Sequence, residues 1–266
     1  MIIVKIGGGK NINIDGICQD IAFLLEKEQV VVVHGASETR DEIAQKLGIP
    51  TKTITSPSGV SSVYTDKAAI DVFLMVYCGL QNKKIVANLL KHNVNAIGLS
   101  GVDGKLWQAK RKDVVYAVED GKTKIVRDNF TGRVEKVNAD LLWLLLNNNY
   151  VPVLCPPAIS LQNEIVNTDN DLAVAVLAGA LKSDKVVSLF EAAGLLKNVH
   201  DEKSVIRKIK KGELEEYLQF AKGRMKKKIL GAQKALANGV SAVYWGDGRV
   251  EHPVLKALKG KGTVIS

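Results

Sequence analysis

Aromatic side chains are scarce in this sequence, 5% of 266 residues, so a platform for stacking nucleic-acid bases is poorly supplied. Cysteine is scarcer still. Cys18, Cys78 and Cys155 are odd in number and show no C-x-x-C spacing, and they read as reduced core thiols of a cytoplasmic protein. No charged start leads into an apolar segment, so nothing points to secretion. The longest apolar run, LAVAVLAGAL at 172–181, is far short of a membrane span. Two familiar phosphate loops are also missing. A G-x-G-x-x-G fingerprint starting at Gly7 would need its third glycine where Ile12 stands, and Lys10 is followed by Asn11 rather than by Ser or Thr. No internal repeat, low-complexity tract or linker interrupts the chain. Acidic residues are the minority, 28 Asp and Glu against 37 Lys and Arg for a net charge of +9. That excess suggests an acidic partner, which could be a nucleotide, nucleic acid or an acidic protein. With so few aromatics nucleic acid is the weakest of the three. The bland alternative is surface lysine kept for solubility or for growth at high temperature.

What is present is a core and a rhythm. Hydrophobic residues make up 46%, enough for a folded α/β protein of one large unit or two lobes. The runs IIVKI (2–6) and VVVVH (30–34) are short, β-branched and of the buried parallel type. Helices are expected over about 15–27, 38–47, 64–78 and 80–92, with SPSGVSS (56–62) as a loop and AIGLS (96–100) as a strand. Residues 105–136 read as hairpins with a turn at Asp120-Gly121, and they carry nine Lys and Arg against five Asp and Glu. The rhythm resumes with the helix ADLLWLLLNNN, the strand VPVLC, a hairpin around LQNEI, an apolar helix over 171–181 and the strand KVVSLF (185–190). A lysine-rich helical zone over 203–237 precedes the strands SAVYW and GTVI. Such alternation gives a mostly parallel sheet between helices, with a soft boundary near residue 170.

Four stretches put charge or bare backbone where a strand ends or a helix begins. Lys5 runs into Gly7, Gly8 and Gly9, glycines whose amides can approach an anion closely. His34-Gly35-Ala36-Ser37 leads from a strand into a helix start, a place that binds anions through backbone N–H groups. Asn167, Asp169 and Asp171 stand at the mouth of the apolar helix, where an aspartate is often only a cap. Arg224, Lys226, Lys227 and Lys228 crowd another helix start, where the helix dipole disfavours cations unless an anion lies nearby. Two lysines and several amides bearing on a phosphate, with an aspartate holding the lysines, suggest phosphoryl transfer without a Walker motif.

Taken in order, Lys5-Ile6-Gly7-Gly8, His34-Gly35, NTDND before an apolar helix and GRMKKKI resemble the amino-acid kinase family, and within it the acetylglutamate kinase branch. VYTD (63–66) leading to NKKIVA (82–87), GLSGVDGK (98–105) and HPVLKALKGKGTVI (252–265) resemble that branch's archaeal carrier-dependent members. These phosphorylate the side-chain carboxyl of α-aminoadipate or glutamate whose amino group is tethered to the small acidic carrier LysW. The resemblance covers essentially the whole chain. It implies an open three-layer αβα sandwich with a mostly parallel sheet and two lobes. Residues 1–170 would bind acceptor and carrier and form a homodimer through the helix beginning near Tyr64, and residues 171–266 would bind ATP. Carried over by position, Lys5 and Lys228 would stabilise the transferring phosphoryl group and Asp171 would orient both. Lys228 is chosen because it lies three residues after Met225. Gly35 and Ala36 would offer amides to the acceptor, Asn167 would bind its α-amino or α-carboxylate end, and Val63 would line the same site. Gly7, Gly8, Glu191 and Gly194 would contact the nucleotide. Mg2+ would be held mainly by ATP, with no metal ligand set on the protein and neither nucleic acid nor membrane as partner.

The sequence departs from the family pattern in four places. The family's H-G-G-G is here HGAS, and a left-handed conformation at Ala36 or Ser37 would cost about 1 kcal/mol or more. The family's Arg-Tyr-Thr-Asp, whose arginine pairs with the acceptor's α-carboxylate, is Val63-Tyr64-Thr65-Asp66, and no Lys or Arg occurs in 53–66. The carboxylate would then be held by Asn167, by a more distant cation such as Lys52 or Arg40, or by water. A common Thr-Asp is Phe190-Glu191, which reshapes the nucleotide pocket, and the glycine before the methionine is Arg224. Three functions follow from this reading. The first is a kinase for a LysW-bound amino acid, with 105–136 as a docking face. The second is a kinase for free N-acetylglutamate, and the third is a nucleotide- or carrier-binding regulator without turnover.

Overall fold

A computed structural model of the protein describes residues 1–57, 59, 61–119, 121–221 and 223–266, with Arg224 described through its backbone. Strands and helices alternate: β1 (Ile2–Ile6), α1 (Ile14–Leu24), β2 (Val30–His34), α2 (Ser37–Lys46), β3 (Thr53–Thr55), β4 (Ser61–Val63), α3 (Lys67–Phe73), α4 (Asn82–Lys91) and β5 (Ala96–Gly101). Next come β6 (Trp107–Arg111), β7 (Val115–Glu119), β8 (Lys122–Val126), β9 (Thr131–Val137), α5 (Ala139–Asn147), β10 (Val151–Ser160) and β11 (Ile165–Thr168). The remainder is α6 (Asn170–Ala180), β12 (Lys185–Phe190), β13 (Lys208–Ile209), α7 (Arg224–Ala237), β14 (Ala242–Asp247), α8 (Pro253–Leu258) and β15 (Thr263–Ile265).

β1 is the centre of the main sheet. It pairs in parallel with β2 on one side and β12 on the other, so that Lys5 stands opposite Val33 and Ser188. The parallel array continues through β10 and β5 on the β2 side and through β14 on the β12 side. All five residues of β1 and of β2 are buried, as their continuous apolar runs require when helices cover both faces. Side chains alternate between the two layers. Ile2, Val4 and Ile6 pack with Ile17 and Ile21 of α1, Ile85 of α4 and Val254 of α8. Ile3 packs on the opposite layer, with Ala173 and Leu177 of α6 and Ile229 and Ala232 of α7. Lys5 shares the parity of Ile3 and therefore faces α6 and α7. The three-layer αβα sandwich expected from the sequence is present, and the sheet runs unbroken across residue 170.

Several boundaries differ from expectation. The two helices expected over 64–92 are one continuous rod, in which a π-helical stretch, Leu74–Gln81, joins α3 to α4. Gly79 alone, without a proline or a capping residue, does not break it. Asp66, not Tyr64, starts the rod, its side chain accepting from the Ala69 N–H at 2.9 Å. The expected loop 56–62 contributes Ser61 and Ser62 to β4, which pairs with β3; Ser58 and Val60 lie outside the described residues. The lysine-rich zone is α-helical only from Arg224. Before it come 3₁₀ turns at Glu202–Ser204 and Lys211–Phe220 and the short β13. Gly223, at φ 54°, marks the change to α-helix. In 105–136 the hairpin is β7–β8, whose Gly121 has φ 71°, while β6 and β9 pair within the main sheet. Asp120 lies outside the described residues. Cys18 and Cys155 are buried and Cys78 is half-buried. Among the described residues no helix is long and apolar enough to cross a membrane.

Candidate active site

The site grows out of the carboxyl ends of β1 and β2, where Lys5 meets the N-terminus of α6. Asp169 caps α6, its Oδ1 accepting from the N–H groups of Asp171 at 3.0 Å and Leu172 at 3.1 Å. This cap leaves Asp171 free in the first turn. One oxygen of Asp171 accepts from Lys5 Nζ, and the other lies 3.5 Å from Lys228 Nζ. Lys227 turns instead to Asp169, at 3.6 Å. Lys228 also lies 4.9 Å from the centroid of the Phe190 ring. All three groups are deeply buried, with side chains 6%, 16% and 12% exposed for Lys5, Asp171 and Lys228.

Two ammonium groups share one carboxylate, and their titrations separate. Burial pushes the Asp171 carboxyl up, but the charges of Lys228 and Lys5 outweigh it and hold it down at about 2. Burial and the neighbouring Lys5 charge bring Lys228 down to about 8, against the pull of Asp171. Burial lowers Lys5 as well, yet its bond to Asp171 leaves it above its ordinary value. Near neutral pH the cluster therefore carries two positive charges and one negative, an arrangement made to receive an anion.

Backbone completes the cradle. A Cβ at Gly8 would come within 2.4 Å of the Ser37 amide nitrogen and 2.8 Å of that of Ala36, so the glycine loop and the start of α2 touch only because Gly8 has no side chain. The Gly8 carbonyl accepts from Glu38 N–H at 3.0 Å and from Ser37 Oγ at 3.2 Å. Gly35 donates to the Ile6 carbonyl at 2.9 Å, and Gly7 to that of Leu189 at 2.8 Å. Ala36 has φ −153° and Ser37 is helical, so the substitutions in HGAS carry no left-handed strain. His34 is wholly buried and held neutral by that burial, pushed down to about 4. Its Nε2 accepts from Asn82 Nδ2 at 3.1 Å, which makes it a brace beneath Gly35.

The expected residues do not all converge. Glu191 closes on the glycine loop, accepting from the Asn11 N–H at 2.7 Å, and a Cβ on Gly9 would strike its carboxylate. Gly194, at φ 145°, packs on Thr263 of β15. Asn167 on β11 donates to Thr65 Oγ1 at 3.2 Å. Val63 ends β4 and lines a pocket of about 180 Å³ with Arg40, Lys52, Asp66 and Phe73 among its walls.

Two contributors escaped the sequence reading. Asn170 donates from Nδ2 to the His34 carbonyl at 2.8 Å, tying β2 to α6; an uncharged amide between two aspartates carries no local signal of that role. Gly231, one turn beyond Lys228, lets α7 lie against α6, since a Cβ there would meet Asp171 atoms at 2.9 Å. The Lys-x-x-Gly spacing was the available signal.

An αβα sandwich that presents two lysines, a shared aspartate and a side-chain-free loop at the ends of its central strands defines an α/β protein built to handle phosphate. The chain belongs to the amino acid kinase family, whose model matches residues 1–244. Over its full length it is 47% identical to a LysW-aminoadipate kinase of Deinococcus radiodurans, covering 91% of that protein. It is 46% identical to the one from Thermus thermophilus, covering all of it. A LysW-aminoadipate/LysW-glutamate kinase of Sulfolobus acidocaldarius is 34% identical across both complete chains. Among solved structures, N-acetylglutamate synthase from Neisseria gonorrhoeae superposes with a TM-score of 0.79 at 21% identity, this chain spanning 59% of that one. Carbamate kinase from Giardia lamblia bound to AMP-PNP gives 0.66 at 15% identity, with 99% and 97% of the two chains covered.

Proposed function

We propose that this enzyme transfers the γ-phosphoryl group of ATP to the side-chain carboxylate of α-aminoadipate, or of glutamate, carried by its amino group on an acidic carrier protein of the LysW kind. The observation that carries the transfer chemistry is Asp171 bridging Lys5 and Lys228 beside the Gly8 cradle. The full-length likeness to LysW-aminoadipate kinases supports the acceptor.

The donor set fits a nucleotide polyphosphate: two buried ammonium groups and a loop whose Cβ-free approach leaves amides available. ATP, with Mg2+ on its phosphates, supplies the phosphoryl group. Lys5 and Lys228 stabilise the negative charge spread over the transferring oxygens, and Asp171 fixes both in place. Gly8 offers its amide to the phosphate end. Gly7, whose N–H is committed to Leu189, gives the loop its close packing, Glu191 shapes the loop, and Gly194 belongs to the ATP-binding lobe. Ala36 directs its amide toward the acceptor, which Asn167 and Val63 flank. Gly35, expected to do the same, has its N–H committed to the Ile6 carbonyl and serves the close turn beside Gly8 instead. The acceptor carboxylate is itself the nucleophile, so no residue has to remove a proton, in keeping with a neutral, buried His34. Residues 1–170 act as the acceptor and carrier lobe and 171–266 as the nucleotide lobe of one catalytic unit. The net charge of +9 favours an acidic partner. Met75 and Leu90 stand exposed on the rod that spans α3 and α4, which suits it to homodimer formation.

The test is ATP consumption by the purified protein with carrier bearing aminoadipate or glutamate, run beside free N-acetylglutamate. Turnover on the carrier-bound acceptors is expected. Turnover confined to the free acceptor, or absent throughout, would reject the assignment.

A further inference from the structure

We infer that Arg40 binds the carboxylate left on the α-carbon of the tethered acceptor, in the pocket it shares with Val63; this rests on the carrier-bound diacid reading above. Arg40 lies on α2 three residues after Ser37, about 4.5 Å along the helix axis, and Ser37 adjoins the Gly8 cradle. The two carboxylates of glutamate are separated by about 5 Å and those of aminoadipate by about 6 Å, given C–C bonds of about 1.5 Å. That span is comparable to the rise from Ser37 to Arg40 along α2, as a diacid with one end at the cradle and the other at Arg40 requires.

The side chain is prepared for that task. It is 6% exposed, its guanidinium lies 5.2 Å from the centroid of the Phe73 ring, and it forms part of the pocket wall. Asp41 Oδ1 accepts from Nε at 3.0 Å and from Nη2 at 2.6 Å. Thr51 Oγ1 donates to the same oxygen at 2.6 Å. One edge of the fork is thus fixed, while Nη1 makes no hydrogen bond among the described residues. A buried guanidinium held along one edge and open along the other suits a carboxylate. The other candidates fit less well. Lys52 is exposed at the rim, and Asn167, with one of its two Nδ2 hydrogens given to Thr65, is a neutral amide that offers the carboxylate no charge. Val63 contributes only an apolar wall. Asp66 also faces the pocket, with one of its oxygens engaged as the cap of α3.

The experiment compares wild type with Arg40→Met, which keeps the apolar stem on Phe73, using carrier loaded with aminoadipate or with 5-aminopentanoate, the same chain without its α-carboxylate. Arg40→Met should raise KM for the aminoadipyl carrier at least about tenfold, the scale of one charge-assisted hydrogen bond. Its kcat should stay within about threefold, because the contact is equal in ground and transition states. KM for ATP should not move. On the aminopentanoyl carrier, wild type and variant should be alike. An equal penalty on both carriers overturns the inference. Arg40→Gln serves if Arg40→Met does not fold. Thermal shifts with N-acetyl-α-aminoadipate and 5-acetamidopentanoate separate this inference from the kinase reading. If no carrier is turned over but the diacid alone stabilises wild type and not the variant, the kinase reading falls and the Arg40 assignment stands. If the two compounds shift wild type and variant equally, the Arg40 assignment falls even where turnover is normal.

Discussion

Asp171 divides its two carboxylate oxygens between Lys5 and Lys228, one to each, while Lys227, one residue earlier on α7, is directed to Asp169. Adjacent lysines in a single basic run are thereby given different partners. Lys5→Ala and Lys228→Ala should each lower kcat by about 100-fold or more, with a smaller change in ATP affinity. Lys227→Ala should retain most turnover. Steady-state kinetics of the three variants decide the matter, and loss of activity in Lys227→Ala alone would transfer the role to that lysine.

The depressed Lys228 gives the site a pH signature. Its ammonium form carries the charge needed at the transferring phosphoryl group, so kcat/KM for ATP should fall as pH rises through about 8. Bound phosphate favours the charged lysine, so the same break in kcat should lie at higher pH. Asp171, held at about 2, stays ionised throughout. The effect on stability has the opposite sense. Keeping Lys228 charged in the fold is unfavourable below about pH 8, and the cost fades as pH rises from there toward the ordinary lysine range. In Lys228→Met the rise in urea midpoint across that window should be absent.

Gly231 should behave as a spacer. Gly231→Ala places a methyl 2.9 Å from Asp171 atoms, and relieving that contact forces α7 away from α6. A loss of about 1–3 kcal/mol in urea unfolding is expected, together with lower kcat as Lys228 draws back from Asp171. Normal kcat in a destabilised Gly231→Ala would show that the helix contact serves packing only.

Carrier association should weaken steeply with salt. The structure alters which residues can test this. Arg111 is committed, at 2.5 Å to Glu164 and with its guanidinium 4.0 Å from the Phe130 ring centroid, so reversing its charge would disturb packing. Lys110 and Lys112 are exposed, and Lys110→Glu with Lys112→Glu should slow association and leave ATP binding intact. Surface plasmon resonance at low and physiological salt provides the measurement, and an affinity indifferent to salt would remove the electrostatic account.

The parts of this architecture that could be read in advance are those governed by local rules. β1 and β2 announced themselves by β-branched runs, and α6 by ten apolar residues behind a capping aspartate. The grouping of Lys5, Asp171 and Lys228 came from family resemblance rather than from spacing. What local rules missed depended on tertiary partners. The rod spanning 67–91 needs the sheet beneath it to hold a π-helical stretch together. The stretch 202–220 has helical composition but adopts 3₁₀ turns at Glu202–Ser204 and Lys211–Phe220. Asn170 and Gly231 matter through close approaches that exist only after the layers have met.

The alternation of β1, which turns Lys5 toward the same layer as Ile3, also bears on when the site comes into being. Lys5 and Asp171 are 166 positions apart in the chain, and β1 must be flanked by β2 and β12 before its register is settled on both sides. No contiguous fragment short of Lys228 contains the two lysines, so no early folding intermediate built from local contacts can bind phosphate as the finished protein does. A topology this dependent on distant pairings folds slowly. During refolding, the appearance of nucleotide binding should therefore trail the recovery of helical signal.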